Sequence, residues 1–323
     1  MLVRNGLGRN PRARPMLEGA VDSADVDFEW IAPPGGGFLG VSSERFDLYE
    51  YSFSGYLMSV ASVGQEARDW VALPVFISRC FDVLAGLSAR EDIEGWADLS
   101  GRRVIVPDVG MTAAIWMRVI LRELFHIDPG AIRWCNSRQP EERHTIELGF
   151  KFEPVGLDIE QMSAGADPIA LVAERDADVA LTLPGRDANL PAGLRPLADA
   201  LALRAMFSDL WSATGTTPVN HVLVARKSLL EEHPGLATQL YAMVEQSKAL
   251  AYDAARRQFE SLLFFPGAVI AEQAALFGDD PYPSGVRANR RMVELLMAQL
   301  AGEGQLPRSL AMDDIFTTEL LDT

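Results

Sequence analysis

The stretch VNHVLVA, residues 219–225, decides how this chain is read. Apart from Asn220 and His221 it is apolar throughout, so both of its faces need cover, as in a strand inside a sheet. The chain beyond it is different in kind. From Leu229 onward apolar residues recur at helical spacing, through 241–257, 268–276 and 285–300. The chain ahead of it alternates: 26–32, 71–76, 83–87, 103–106, 132–135 and 179–183 read as strands, and 54–63, 112–125, 168–175 and 201–211 as helices. Such alternation predicts an α/β architecture, mixed sheets flanked by helices. A covered strand after the alternation and before a helical tail predicts that the chain returns to complete a domain begun at its N-terminus.

Length and composition bound the function. The 323 residues suggest two domains at about 150 residues each. Hydrophobic residues at 48% and charged residues at 23% exclude disorder. Lys+Arg 29 against Asp+Glu 45 leaves a formal charge of −16. That balance argues against duplex nucleic acid and anionic membranes as partners, because both are bound through excess Lys and Arg. The basic residues are 26 Arg and three Lys, and the planar guanidinium is the side chain that matches carboxylates. Two cysteines, Cys80 and Cys135, are too few for a disulfide scaffold. The opening MLVRNGLGRNPRARP is basic but holds no apolar run of about 7–15 residues, so it does not read as a secretory signal. LLFFPGAVIA (262–271) falls short of the roughly 20 residues of a membrane span. The expected location is the cytoplasm, with no membrane partner.

Common catalytic signatures are missing. Gly35, Gly37 and Gly40 satisfy G-x-G-x-x-G by letter, but they follow Pro33-Pro34 rather than a strand, so they read as a loop. There is no P-loop, no G-x-S-x-G and no H-E-x-x-H. Glu141, Glu142, His144 and Glu147 read as a polar turn rather than metal ligands. Neither a metal nor an organic cofactor is implied. Of the four histidines, His126 ends an amphipathic helix and His233 precedes Pro234 at a helix start. His221 lies inside the covered strand, either as a core imidazole held by a carbonyl or as an acid/base group facing a ligand.

Six segments read together carry a resemblance: RARPMLEG (12–19), FDLYEYSFSGY (46–56), ALPVFISR (72–79), GMTAAIW (110–116), TGTTPVNHVLVAR (214–226) and DDPYPSGVRANRR (279–291). In this order the chain resembles the 4,5-dihydroxyphthalate decarboxylase family over nearly its whole length. The resemblance implies a type 2 periplasmic-binding-protein-like fold, two α/β lobes with mixed sheets and a central cleft. Lobe one would comprise 1–94 and the helical return 216–323, and lobe two 95–215. Ligands in such sheets sit beyond strand carboxyl ends and near helix N-termini. That rule selects Ser52 and Ser54 after the strand 48–51, Ser78 and Arg79 after 71–76, Thr112 at the head of 112–125, and Arg186 after 179–183. Arg12 and Arg14 come from the first matching segment and His221 from the returning strand.

The implied function is decarboxylation of a small hydroxylated aromatic acid. His221 and Arg79 are the candidate catalytic residues, and Arg12, Arg14, Ser52, Ser54, Ser78, Thr112 and Arg186 the candidate substrate contacts. The alternative is a noncatalytic small-carboxylate-binding protein of the same two-lobed type. The expected partner is a small carboxylic acid, with a homodimer plausible from the helical tail. The chain departs from the family pattern at three places. Cys80-Phe81 is followed by Asp82-Val83-Leu84 where members carry Arg-His-Ser. Asp108-Val109-Gly110 stands where they have Glu-Tyr-Gln, and Asn10 where they have Tyr.

Overall fold

The computed structural model describes residues 1–7, 10–21, 26–31, 46–63, 69–79, 84–143, 154–182 and 190–323. The strands are β1 (Leu2–Asn5), β2 (Asp27–Trp30), β3 (Leu48–Ser52), β4 (Trp70–Arg79), β5 (Leu87–Arg90), β6 (Arg103–Val106), β7 (Arg133–Asn136), β8 (Asp158–Gln161), β9 (Val179–Leu181), β10 (Leu194–Pro196) and β11 (Val219–Arg226). The helices are α1 (Arg14–Leu17), α2 (Phe53–Val63), α3 (Thr112–Phe125), α4 (Pro168–Ala173), α5 (Ala200–Thr214), α6 (Lys227–Glu232), α7 (Leu236–Leu262), α8 (Pro266–Phe277), α9 (Val286–Gly302) and α10 (Met312–Ile315). None of them is long and apolar enough to cross a membrane among the described residues.

Two mixed sheets result. The first has the order β2-β1-β3-β11-β4 and the second β10-β5-β9-β6-β7-β8. In the first, β1 runs parallel to β2 and β3, while β11 is antiparallel to β3 and β4. In the second, β6 to β9 form the parallel part, and β5 is antiparallel to β9 and β10. The covered strand 219–225 is therefore an interior strand of the first sheet, reached only after the chain has built the second.

Local chemistry sets the ends of several helices. The carboxylate of Asp199 accepts the amide of Ala202 at the start of α5, and Gly215, at φ 68°, closes it in a conformation that costs glycine little. α4 opens with Asp167 accepting from Ile169 N–H and with Pro168 at its first position. Residues 112–121 of α3 are all buried, because the helix is covered on every side.

α3 joins the two halves. One continuous apolar cluster runs from Phe53 and Phe76 at the first sheet through Trp116 to Trp134 and Val179 at the second. Trp116 Nε1–H donates to the carbonyl of Val219 (2.8 Å). Arg118 of α3 makes a two-point ion pair with Glu303, just beyond α9 (2.5 and 2.8 Å), both side chains being buried.

The structure corrects one expectation about the elements. The strand expected at 83–87 lies at Leu87–Arg90, after a helical turn at 84–85. Its polar members Ser88 and Arg90 concealed it, and Arg90 is neutralised by Asp92 and Asp178. β5 pairs within the second sheet, so the chain changes sheets between Arg79 and Leu87. The basic N-terminal residues supply β1, with Arg4 paired to Asp47 from another strand's approach (2.8 Å). The expected Gly35–Gly37–Gly40 loop, Cys80 and His144 fall outside the described residues.

Candidate functional site

Three hydroxyls meet where the two halves join. β3 ends at Ser52 and runs straight into α2, so Ser54 stands in that helix's first turn, and Thr112 opens α3. Thr112 Oγ1 lies 3.0 Å from both Ser52 Oγ and Ser54 Oγ and accepts the backbone N–H of Ser54 at 3.1 Å. Ser54 Oγ donates to the carbonyl of Gly110 (2.9 Å). All three are buried. Two helix N-termini and three hydroxyls thus share one place, an arrangement suited to a negative charge.

His221 stands beside this cluster. Across the sheet it is in register with Ser52 on one side and Ser78 on the other, where the β11–β4 ladder shifts register. Its Nδ1 is 3.7 Å from Oε1 of Glu50, two residues before Ser52 on the neighbouring strand. Glu50 is 2% exposed, and its Oε1 accepts no hydrogen bond among the described residues. A buried carboxylate beside a histidine is the arrangement that orients an imidazole for proton transfer.

The arginines divide into two kinds. Arg12 Nε–H donates to the carbonyl of Ile77 (2.7 Å), which fixes it beside Ser78, and its guanidinium lies 3.7 Å above the ring of Tyr282. Its remaining nitrogens make no bond to another described residue. Arg79 is 5% exposed and spends its fork on the carbonyls of Thr217 (3.2 Å) and Pro283 (3.2 Å) and on Asn289 Oδ1 (3.3 Å). Asn10 holds the same loop by donating to Ile77 O (3.1 Å) and accepting from Arg12 N–H (3.0 Å).

Tyr282 is held from behind by a buried polar network. Lys248 Nζ donates to Asp280 Oδ2 (2.8 Å) and to the carbonyl of Tyr282 (2.7 Å). Tyr252 OH and the Tyr282 amide both donate to Asp280 Oδ1 (2.8 Å each). Burial pushes the Asp280 carboxyl up, but these hydrogen bonds and the Lys248 charge outweigh it and hold the group below the usual carboxylate range. Burial, and then the charge of Asp280, push the Tyr252 phenol far up.

The structure thus brings together His221, Arg79, Arg12, Ser52, Ser54, Ser78 and Thr112. Arg14 is turned away, exposed and paired with Glu18 one helical turn on (2.6 Å), because its place in α1 faces solvent. Arg186 lies outside the described residues. Sequence reasoning passed over Glu50, although a lone acid in the otherwise covered strand LYEYS is a signal in itself. It also passed over Asn136. Asn136 closes β7 beside Asp108, which follows β6, both at the carboxyl ends of adjacent parallel strands. Asn136 Oδ1 accepts Val109 N–H and Asp108 Oδ1 accepts Gly110 N–H (2.8 Å each). Their other polar atoms, Nδ2 and Oδ2, are buried and make no hydrogen bond among the described residues.

The class is defined by the fold. The chain is similar in structure to the periplasmic aliphatic sulphonate binding protein SsuA of Escherichia coli, with a TM-score of 0.52, 15% identity, and 100% of this chain and 99% of that one covered. It is also similar to the desulfurization enzyme DSZB, with a TM-score of 0.50, 15% identity, and 99% and 97% covered. The fold is therefore of the periplasmic-binding-protein type. No family model matches the chain. By sequence the chain is a homologue of curated proteins named 4,5-dihydroxyphthalate decarboxylase. That of Comamonas testosteroni is 26% identical over 98% of this chain and 96% of its own length, and that of Pseudomonas putida 32% identical over 45% of this chain and 56% of its own.

Proposed function

We propose that this protein decarboxylates a small hydroxylated aromatic acid resembling 4,5-dihydroxyphthalate, in a cleft between lobes built on the two sheets. The observation that carries this reading is the convergence of His221, backed by Glu50, with the Ser52–Ser54–Thr112 hydroxyls and Arg12 at the joining of the sheets. The full-length similarity to the Comamonas protein supports the choice of reaction. The lobes would meet where the chain passes from Arg79 to Leu87 and again from Pro196 to Val219. The protein would act in the cytoplasm on a free small acid.

The chemistry asks little of a cofactor. A ring hydroxyl para to the departing carboxylate loses its proton and pushes electron density onto the carbon that bears the carboxylate. That carbon takes a proton, the C–C bond breaks, CO2 leaves, and the electron pair of that bond restores the aromatic ring. The phenolate then recovers a proton. The protein must donate one proton to carbon, hold another for the phenol, and clamp the carboxylate that stays. His221 is the proton-transfer group and Glu50 its positioning residue. Arg12 is the clamp, because its terminal nitrogens make no bond to another described residue. Arg79 shapes the site by tying β4 to Thr217 and Pro283. Charge-assisted hydrogen bonds from Arg12 contribute about 1.5–3 kcal/mol to holding the acid, and loss of a general acid/base group typically costs about 10²–10⁴-fold in rate.

The test is direct. Purified protein is offered dihydroxyphthalates and hydroxybenzoates while CO2 release is measured. Turnover is expected, with His221→Ala slowing it far more than it weakens binding, and Arg12→Ala weakening binding. Acids that raise the melting temperature with no CO2 released would instead establish the binding-protein alternative, which the likeness to SsuA favours.

A further inference from the structure

A second charged site lies at the opposite edge of the second sheet. The residues Asp108 and Asn136 stand at the carboxyl ends of β6 and β7. The amino ends of the same strands, Arg103 and Arg133, are in register with each other and open into a cavity of about 580 Å³. Arg90, Arg102 and Arg175 complete a ring of five arginines around it. Such a ring is notable in a chain of net charge −16. No aromatic or branched aliphatic side chain lines the cavity, so it is unlike the proposed aromatic-acid site in chemistry as well as in place.

Three of the arginines are already held. Asp178 takes Arg90 at 2.7 Å and Arg102 at 3.6 Å, and accepts the backbone N–H of Arg103 at 2.7 Å. Arg103 reaches Glu160 at 2.8 Å and the carbonyl of Asp176 at 2.7 Å. These contacts, with Asp92 also on Arg90, hold the three guanidiniums in place. Arg133 and Arg175 are different: their side chains make no hydrogen bond or ion pair among the described residues. Arg175 holds its place at φ 67°, just past α4, where the amides of Asp176 and Ala177 both return to the carbonyl of Leu171. That left-handed position is the one glycine fills without strain, yet here it carries a guanidinium into the cavity wall. Against the five arginines stand Glu160, Asp176 and Asp178 in the lining and Asp92 on Arg90, which leaves one positive charge uncompensated.

We propose that this cavity binds a phosphate dianion, free or carried as a monoester on a small polar molecule. Two open forks from separate elements, the start of β7 and the turn after α4, each need a pair of acceptor oxygens. A tetrahedral dianion supplies them in different directions, whereas a single carboxylate offers one planar edge.

The experiment is calorimetric titration of the full chain with inorganic phosphate, and separately with glycerol phosphate, at constant ionic strength set by potassium chloride. One saturable site per chain is expected. Arg133→Gln/Arg175→Gln is expected to weaken phosphate by roughly tenfold or more, the loss of charge-assisted bonds, and Arg133→Lys/Arg175→Lys by less. Both residues are exposed and their side chains make no hydrogen bond among the described residues, so the melting temperature without phosphate should be the same in all three proteins. Tighter binding of glycerol phosphate assigns an esterified ligand, and tighter inorganic phosphate a free one. No saturable binding, undiminished binding by the Gln variant, or equal binding of succinate would each overturn the proposal.

Discussion

Arg118 ties the head of α3, and with it Thr112, to the helical tail, and replacing it with Met tests how firmly. In the native protein Arg118 Nε and a terminal nitrogen meet Glu303 at 2.5 and 2.8 Å, and the other terminal nitrogen donates to the carbonyls of Val109 (3.0 Å) and Ala114 (3.1 Å). Methionine fills a similar volume but leaves Glu303, 3% exposed, with Gln299 Nε2 at 2.6 Å as its remaining side-chain partner. Breaking a buried pair from one side costs about 3–5 kcal/mol, because the surviving charge stays buried. At about 2 °C per kcal/mol for a domain of this size, the melting temperature should fall by roughly 6–10 °C. Arg118→Met/Glu303→Leu removes both charges and should recover most of that loss, since an apolar replacement of a buried pair is often neutral or better. Urea unfolding of wild type, both single variants and the double variant completes the cycle. An Arg118→Met loss below about 1 kcal/mol, or a double variant less stable than either single one, would refute the idea that burial of unpaired charge sets the cost.

Two further outcomes concern the site and its supporting network. Glu50→Gln keeps the shape beside His221 and removes the charge, so kcat should fall about 10–100-fold with KM nearly unchanged, short of the full loss at His221→Ala; an equal rise in KM would assign Glu50 to substrate binding instead. Asp280 titrates below its unfolded value of about 3.9, so its contribution to stability is present above that pH and lost as pH falls through the folded value. Asp280→Asn should therefore be less stable than wild type at pH 7, with the gap closing in urea titrations below about pH 4; a gap independent of pH would remove Asp280 from that linkage.

A fold similar to those of a sulphonate-binding protein and a desulfurization enzyme leaves open what the chain binds and what happens to it. The proposed decarboxylation rests instead on the pairing of Glu50 with His221. Glu50 and His221 are brought to 3.7 Å by register between two strands far apart in the chain.

The sequence by itself determined the periodic elements and their order. Residues 219–225 announced a covered strand because their apolar run admits no solvent face, and 112–125 announced a helix because its apolar positions recur at helical spacing. Thr112, Ser52 and Ser54 were legible because hydroxyls at helix starts follow from local backbone chemistry. Tertiary structure alone decided the rest. β1 carries an Arg4–Asp47 pair and β5 an Arg90–Asp178 pair, with partners supplied by distant segments. It also decided that Arg79 is spent on Thr217, Pro283 and Asn289 while Arg12 keeps nitrogens to offer. The physical reason is that periodicity and capping act within a few residues, whereas the use of a charged side chain depends on which groups the fold carries to it.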